Sequence, residues 1–418
     1  MLGRLKSAIN RYTVTAICFL IVIFSYLIGM IVDYKTIDKS VTKTVNSAKA
    51  AEDSTTLDVA KAFIAGTDSA LDSAVYNRLD LIAVNGLFNR MIFKKKIDDV
   101  NAVNTVYKLN NGQLTYYYPE FGVRVAHKNI KVLNQYCESV GTKLLYVQAP
   151  MKIDKYDNEL PHGLTDYPNA NADRFLEGLD KLGIDYLDFR EVIHDAGFVY
   201  KDLFFDTDHH WTTETGFWAY QYLMEYLGEN YGLEYDEANV DKDNFTFVTM
   251  KDSFIGSLAN RVGRLYAGID DFTYIYPNFD TSFEWTRYDE QGASTLTRIG
   301  DFTETVMFKD RTENADQALA YRDNIYFNGN PAIAKITNNN VEDGRVLVIQ
   351  DSFGKPVSAF LCLNFHQVDV MDLRDYAEMT VLDYLKINET YDYVIILYNP
   401  SAFKTSSYYS QFKFYNYK

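Results

Sequence analysis

From residue 129 onward, short continuous apolar runs alternate with stretches whose apolar residues recur at helical spacing. Asn129 to Val140 has the helical spacing, and Lys143 to Gln148 is an apolar run stopped by Ala149-Pro150. Asn169 to Leu182 is amphipathic, with Phe175, Leu176, Leu179 and Leu182 on one face and Gly183 as its stop. Ile184 to Phe189 is a second strand, and a helix with Phe217, Tyr220, Leu223 and Leu227 turned inward follows. After a break the alternation resumes with Arg345 to Ile349, Gln367 to Met371 and Tyr393 to Leu397. Fully apolar strands separated by amphipathic helices predict βαβ units and a parallel sheet buried on both faces.

Two regions depart from this rhythm. Residues 232–340 are rich in Asp, Asn, Thr and aromatics, with short β-like runs such as Phe272 to Tyr276. They are expected to form a large β-rich insertion or small subdomain. Upstream, Asn110-Asn111-Gly112 separates Val106-Tyr107 from Leu114-Thr115-Tyr116-Tyr117, which predicts a hairpin.

At the N-terminus an uncharged run covers residues 13–32, the length that a bilayer core asks of a helix. Arg4, Lys6 and Arg11 precede it, so the expected topology is a cytoplasmic tail (1–12), a transmembrane anchor (13–32) and the remainder outside the cytoplasm. Residues 33–100 then serve as a stalk and helical lead-in, and 101–418 form the main domain.

Composition narrows the function. The net charge of −16 disfavours a nucleic acid partner, whose phosphates repel an acidic surface. Of three cysteines, Cys18 lies in the apolar run, and Cys137 and Cys362 are expected to be free, buried thiols. No cysteine spacing suits a metal.

Two segments carry the candidate chemistry. The strand Val346 to Gln350 runs into Asp351-Ser352-Phe353-Gly354, with a helix expected from about Pro356. A serine there sits at the carboxyl edge of a parallel sheet, beside helix amides able to stabilise an oxyanion. The segment Phe204 to Trp211 (Phe-Phe-Asp-Thr-Asp-His-His-Trp) clusters carboxylates and imidazoles. A serine hydroxyl becomes nucleophilic when an imidazole, oriented by a carboxylate, takes its proton. Asp208 with His210 supplies such a pair, as does Asp206 with His209. The same four side chains are also plausible ligands for a divalent metal. Arg374 and Asn399 each stand just past a strand and would share the serine's sheet edge.

Taken together, these residues resemble the SGNH hydrolase superfamily, and more closely its alginate O-acetyltransferase-like branch, including the group with an Asp-His-His-Trp signature. The likeness covers roughly residues 100–400. Asp351-Ser352 resembles the Gly-Asp-Ser block, with Gln350 in place of the glycine. Asp208-His209-His210-Trp211 resembles the Asp-x-His-Trp block, and its position ahead of the serine matches the permuted order of the acetyltransferase branch. Trp211 sets the register, so the resemblance implies Ser352 as nucleophile, His210 as base and Asp208 as its orienter. It implies further contacts to the oxyanion or substrate from Arg374, Asn399, Lys152 and Trp211, and it makes Gly256-Ser257 a matching Gly-Ser element. The implied fold is a three-layer parallel sheet with helices on both faces. The implied activity is transfer of an acetyl group to a cell-surface or exopolysaccharide through a Ser352 acyl-enzyme. No cofactor is implied. The implied partners are the polysaccharide acceptor and a donor protein resembling a membrane-bound O-acyltransferase. An esterase with the same triad, a non-catalytic glycan-binding protein and a metal-dependent hydrolase are the alternatives.

Overall fold

A computed structural model of the chain describes residues 11–32, 34–49, 55–73, 78–99, 101–289, 292–313, 322–376, 378–403 and 411–415. The chain divides into two compact units, Met1–Asn85 and Gly86–Lys418.

The first unit is helical, with segments Arg11–Val32, Tyr34–Lys49 and Thr56–Ser73. The expected anchor is therefore a helix, but among the described residues no helix is long and apolar enough to cross a membrane.

The second unit is built on an eight-stranded sheet. Its strands are β1 (Lys143–Gln148), β2 (Tyr186–Asp188), β3 (Phe283–Tyr288), β4 (Ser294–Gly300), β5 (Ile333–Asn338), β6 (Arg345–Gln350), β7 (Gln367–Met371) and β8 (Tyr393–Tyr398). The spatial order is β2-β1-β8-β6-β7-β5-β3-β4. The first five are mutually parallel, as the apolar runs predict. The last three pair antiparallel. The sheet is thus mixed rather than wholly parallel. Half of the expected insertion is no separate subdomain, because its strands extend the central sheet from the edge of β7. The remaining β structure of that region is a two-stranded ribbon, Phe245–Phe254 with Asp270–Pro277. The predicted hairpin also forms, Val106–Lys108 against Leu114–Tyr116.

Period-two side-chain alternation feeds a core on each face of the sheet. Val346, Val348, Ile395 and Leu397 face one core, with helices α3 (Thr213–Tyr231) and α4 (Gly354–Leu361) over it. Leu347, Ile349, Val394 and Ile396 face the other, beneath α1 (Arg124–Val140), α2 (Tyr167–Leu182) and α5 (Val381–Ile387). Each such fully buried aliphatic side chain stabilises the fold by roughly 1.5–3 kcal/mol. Helices α2 and α3 begin where the sequence supplies acceptors. Asp166 caps α2 at Asn169 N, and Thr212 caps α3 at Thr215 N, each contributing about 1 kcal/mol. Helices α3 and α4 meet at Gly216, where any Cβ would collide with the Pro356 ring. Cys137 and Cys362 are free and buried, as expected.

Because β1, β2, β6, β7 and β8 run the same way, their carboxyl ends open on one edge. Lys152, Asp188, Ser352, Arg374 and Asn399 all follow from those ends.

Candidate active site

Ser352 lies two residues past β6, in the turn that leads into α4. Asp351 secures that turn. One of its carboxylate oxygens accepts Phe353 N at 2.9 Å, and the other accepts Asn399 N and Nδ2, both at 2.9 Å. Burial raises the Asp351 carboxyl above its ordinary value, and the Arg374 charge and the Asn399 and Phe353 amides oppose that only in part. Gln350 is buried, and its Oε1 accepts Ser358 Oγ at 2.5 Å, tying the strand end to α4.

The partner of Ser352 comes from 142 residues upstream. Ser352 Oγ donates to His210 Nε2 at 2.6 Å, and His210 Nδ1 donates to Asp208 Oδ1 at 2.5 Å. The carboxylate can only accept, so the imidazole proton sits on Nδ1 and leaves Nε2 as the free base. Burial pushes the Asp208 carboxyl up. The neighbouring His210 and His209 rings, with hydrogen bonds from His210 and Ser257 N, outweigh burial and hold it well below the usual carboxylate range. Ser352 and His210 are 7% and 8% exposed, so the pair is shielded yet reachable from solvent.

The loop carrying Asp208 and His210 is held from below and from the side. Lys152 Nζ donates to the carbonyl oxygens of Phe205, Asp206 and Asp208 at 2.5, 3.1 and 2.8 Å. Burial pushes its ammonium down to about 8, against the pull of Asp206, Asp270 and Asp208. Asp270, from the ribbon, accepts Asp206 N, Thr207 N and Thr207 Oγ1 at 2.9, 2.8 and 2.6 Å. Gly256 N donates to Thr207 Oγ1, and Ser257 N donates to Asp208 Oδ2 at 2.5 Å. Position 256 must be glycine for this approach, since an added Cβ would collide with the Asp208 side chain. Trp211 Nε1 donates to Phe353 O at 3.1 Å, locking the two catalytic segments together.

The fold brings Ser352, His210 and Asp208 to one point, with Gly256-Ser257 beside them. Asp206 and His209 do not pair; Asp206 is exposed, and His209 Nδ1 contacts Ser257 Oγ at 2.9 Å. The other expected contacts are turned to the scaffold. Asn399 Nδ2 is engaged by Asp351, Lys152 by the loop carbonyls and Trp211 by Phe353. The Arg374 guanidinium is forked onto Asp372 at 2.5–3.1 Å. Asp270, Asp372 and Thr207 were missed, and no local pattern in the sequence marks them.

Asp208, His209 and His210 offer potential metal-ligating atoms all within 4.8 Å of one another. The same atoms already serve other bonds. His210 uses both ring nitrogens in the triad, and His209 Nδ1 faces Ser257.

His209 makes a pH prediction possible. Burial first, then the adjacent His210, pushes its imidazole down to about 3. The unfolded chain takes up that proton near pH 6.5, while the folded one does not. The stability this group contributes is complete above pH 6.5 and is lost as pH falls from 6.5 toward 3. A single proton sets a ceiling of about 1.36 kcal/mol per pH unit, and the 29% exposure of the ring keeps the effect below it. Urea midpoints at pH 7 and pH 5 should differ more in the wild type than in His209→Gln. Equal differences would remove His209 as the cause.

Residues 120–267 match the family described as SGNH hydrolase-like domain, acetyltransferase AlgX. No curated protein matches in sequence. Among solved structures, Bacillus cereus PatB1 with a sulfonyl adduct superposes with a TM-score of 0.60 at 20% identity, over 77% of this chain and 100% of that one. A DHHW family protein from Eubacterium siraeum superposes with a TM-score of 0.56 at 18% identity, over 77% of this chain and 99% of that one. At these identities the structures establish a shared fold.

Proposed function

We propose, starting from the likeness of residues 120–267 to the SGNH hydrolase-like domain of acetyltransferase AlgX, that this chain is an O-acetyltransferase acting on a polysaccharide outside the cytoplasm. The observation that carries the reading is the unbroken hydrogen-bond chain Asp208–His210–Ser352, at 2.5 and 2.6 Å.

The geometry supports two half-reactions. Ser352 Oγ attacks the acyl carbonyl of a donor while His210 Nε2 takes the hydroxyl proton. The carbonyl oxygen becomes an oxyanion. The backbone N–H of Ser352, without a protein partner among the described residues, is available to it. The donor's C–O bond then breaks, its leaving oxygen takes the proton from His210, and the acetyl group rests on Ser352 as an ester. In the second half a sugar hydroxyl attacks that ester, giving its proton to His210, and His210 returns the proton to Ser352 Oγ. Asp208 holds the tautomer throughout and stabilises the imidazolium.

On this reading the donor is delivered by a partner protein resembling a membrane-bound O-acyltransferase, since acetyl-CoA is not available outside the cell. The basic residues Arg4, Lys6 and Arg11 ahead of the apolar N-terminal stretch support that side of the membrane.

The test supplies full-length protein with p-nitrophenyl acetate and assorted glycan oligomers, and follows both products by mass spectrometry. An acetyl adduct on Ser352 together with acetylated sugar is expected. Release of acetate to water alone, with every acceptor present, would make the chain an esterase. Absence of any serine adduct would overturn the reading.

A further inference from the structure

A second site lies away from the triad, along the outer side of α3. A cavity of 460 Å³ opens there, in the range of small-molecule sites, and Phe198, Phe217, Trp218 and Phe247 form its apolar lining. Trp218 is half-buried and held by edge contacts to Phe198 and Phe189 at ring-centroid distances of 4.9 and 5.8 Å. A broader depression continues from it, sharing Trp218 and Gln221 and adding Tyr222 and Tyr235. The result is an elongated groove with aromatic rings along its length, longer than a single small molecule needs.

Its charge selects the occupant. Asp202 and Glu214 border the cavity, and Glu225, Glu237 and Asp241 border the depression, against the single ammonium of Lys242. That ammonium lies 5.2 Å from the centre of the Phe247 ring. Among the described residues, none of Asp202, Glu214, Glu225 and Glu237 forms an ion pair. Carboxylates left without cations around an aromatic floor repel a polyanion and favour a ligand with its own positive charge. Aromatic faces suit the C–H faces of sugar rings, and amphipathic rings of this kind bind without losing much conformational freedom.

We propose that this groove binds a segment of an amine-bearing amino-sugar polymer, one ring seated on Trp218 and the ammonium groups facing Glu214 and Glu225. It deepens the polysaccharide reading by naming the class of glycan, and it can fail separately, because binding does not need the triad.

The experiment is calorimetric titration of full-length Ser352→Ala protein, which forms no acyl-enzyme, with three hexamers: glucosamine, N-acetylglucosamine and mannuronate. The glucosamine hexamer should bind at least tenfold more tightly than either of the others, and added salt should weaken it. Trp218→Ala should reduce its affinity at least tenfold. In the serine-containing protein, that substitution should leave p-nitrophenyl acetate turnover unchanged, which also reports that the variant is folded. Glu214→Gln with Glu225→Gln should erase the preference for glucosamine over N-acetylglucosamine. Equal affinity for the three hexamers would overturn the proposal. So would undiminished glucosamine binding in either the Trp218 variant or the double glutamine variant.

Discussion

Ser352→Ala should lower acyl turnover by about 10⁶-fold, the loss seen when a triad nucleophile is removed from a serine hydrolase. Its Oγ is the atom placed to form the ester, 2.6 Å from the base that takes its proton. The structure should survive the change. The turn is secured by the Asp351 carboxylate on Phe353 and Asn399, not by the serine hydroxyl. The helix α4 starts at Gly354 and buries its apolar face independently. An unchanged melting temperature with lost turnover is therefore expected. Labelling by an aryl sulfonyl fluoride gives a second readout, because an activated serine hydroxyl attacks its sulfur and displaces fluoride. The wild type should gain one adduct on Ser352 and the variant none. Turnover within tenfold of the wild type in Ser352→Ala would remove the acyl-enzyme from the mechanism.

The next largest effect is expected from Asp208→Asn, about 10⁴-fold in turnover. The amide fits the same space and can still accept the Ser257 N–H. What it loses is the obligation to accept from His210. An asparagine Nδ2 turned to the ring donates to His210 Nδ1, moves the imidazole proton to Nε2 and leaves no base facing Ser352. The carboxylate also stabilises the imidazolium, and that attraction disappears. The sulfonyl fluoride should label Ser352 in this variant far more slowly than in the wild type. Folding is protected because Lys152 and Asp270 hold the loop through its backbone carbonyls and amides, and Gly256 N holds it through the Thr207 hydroxyl, none of which needs the Asp208 carboxylate. Labelling at the wild-type rate would show that His210 draws nothing from Asp208.

The triad was legible in two steps. Residues 206–211 offer two acid–base pairs, and the likeness to an Asp-x-His-Trp block, with Trp211 setting the register, selects Asp208 with His210; the apolar run before Asp351-Ser352 announces a strand end. The five parallel strands were legible for a related reason, since strands covered on both faces are continuously apolar. The antiparallel extension was not. β3, β4 and β5 are mixed in polarity, and nothing local shows that β5 pairs with β7 rather than with a separate sheet. Asn399 and Arg374 were placed correctly at the sheet edge, but their partners depend on two buried carboxylates, Asp351 and Asp372, whose demand for donors appears only after folding. Lys152 was noticed as a substrate contact and is instead the donor to three carbonyls. Asp270 could not be found at all. It stands 63 residues from Thr207, and two of the three groups it accepts from are backbone amides, which leave no trace in the sequence.

The two bonds that join the catalytic segments, His210 to Ser352 and Trp211 to Phe353, each span 142 residues. Contacts of that sequence separation are slow to form, since a large loop must close before they return any free energy. The strands β3, β4 and β5, with the ribbon that carries Asp270, all lie inside that loop. The reactive serine is thus paired with its base only once that loop has closed, and a molecule in which it is still open carries an ordinary, unactivated hydroxyl.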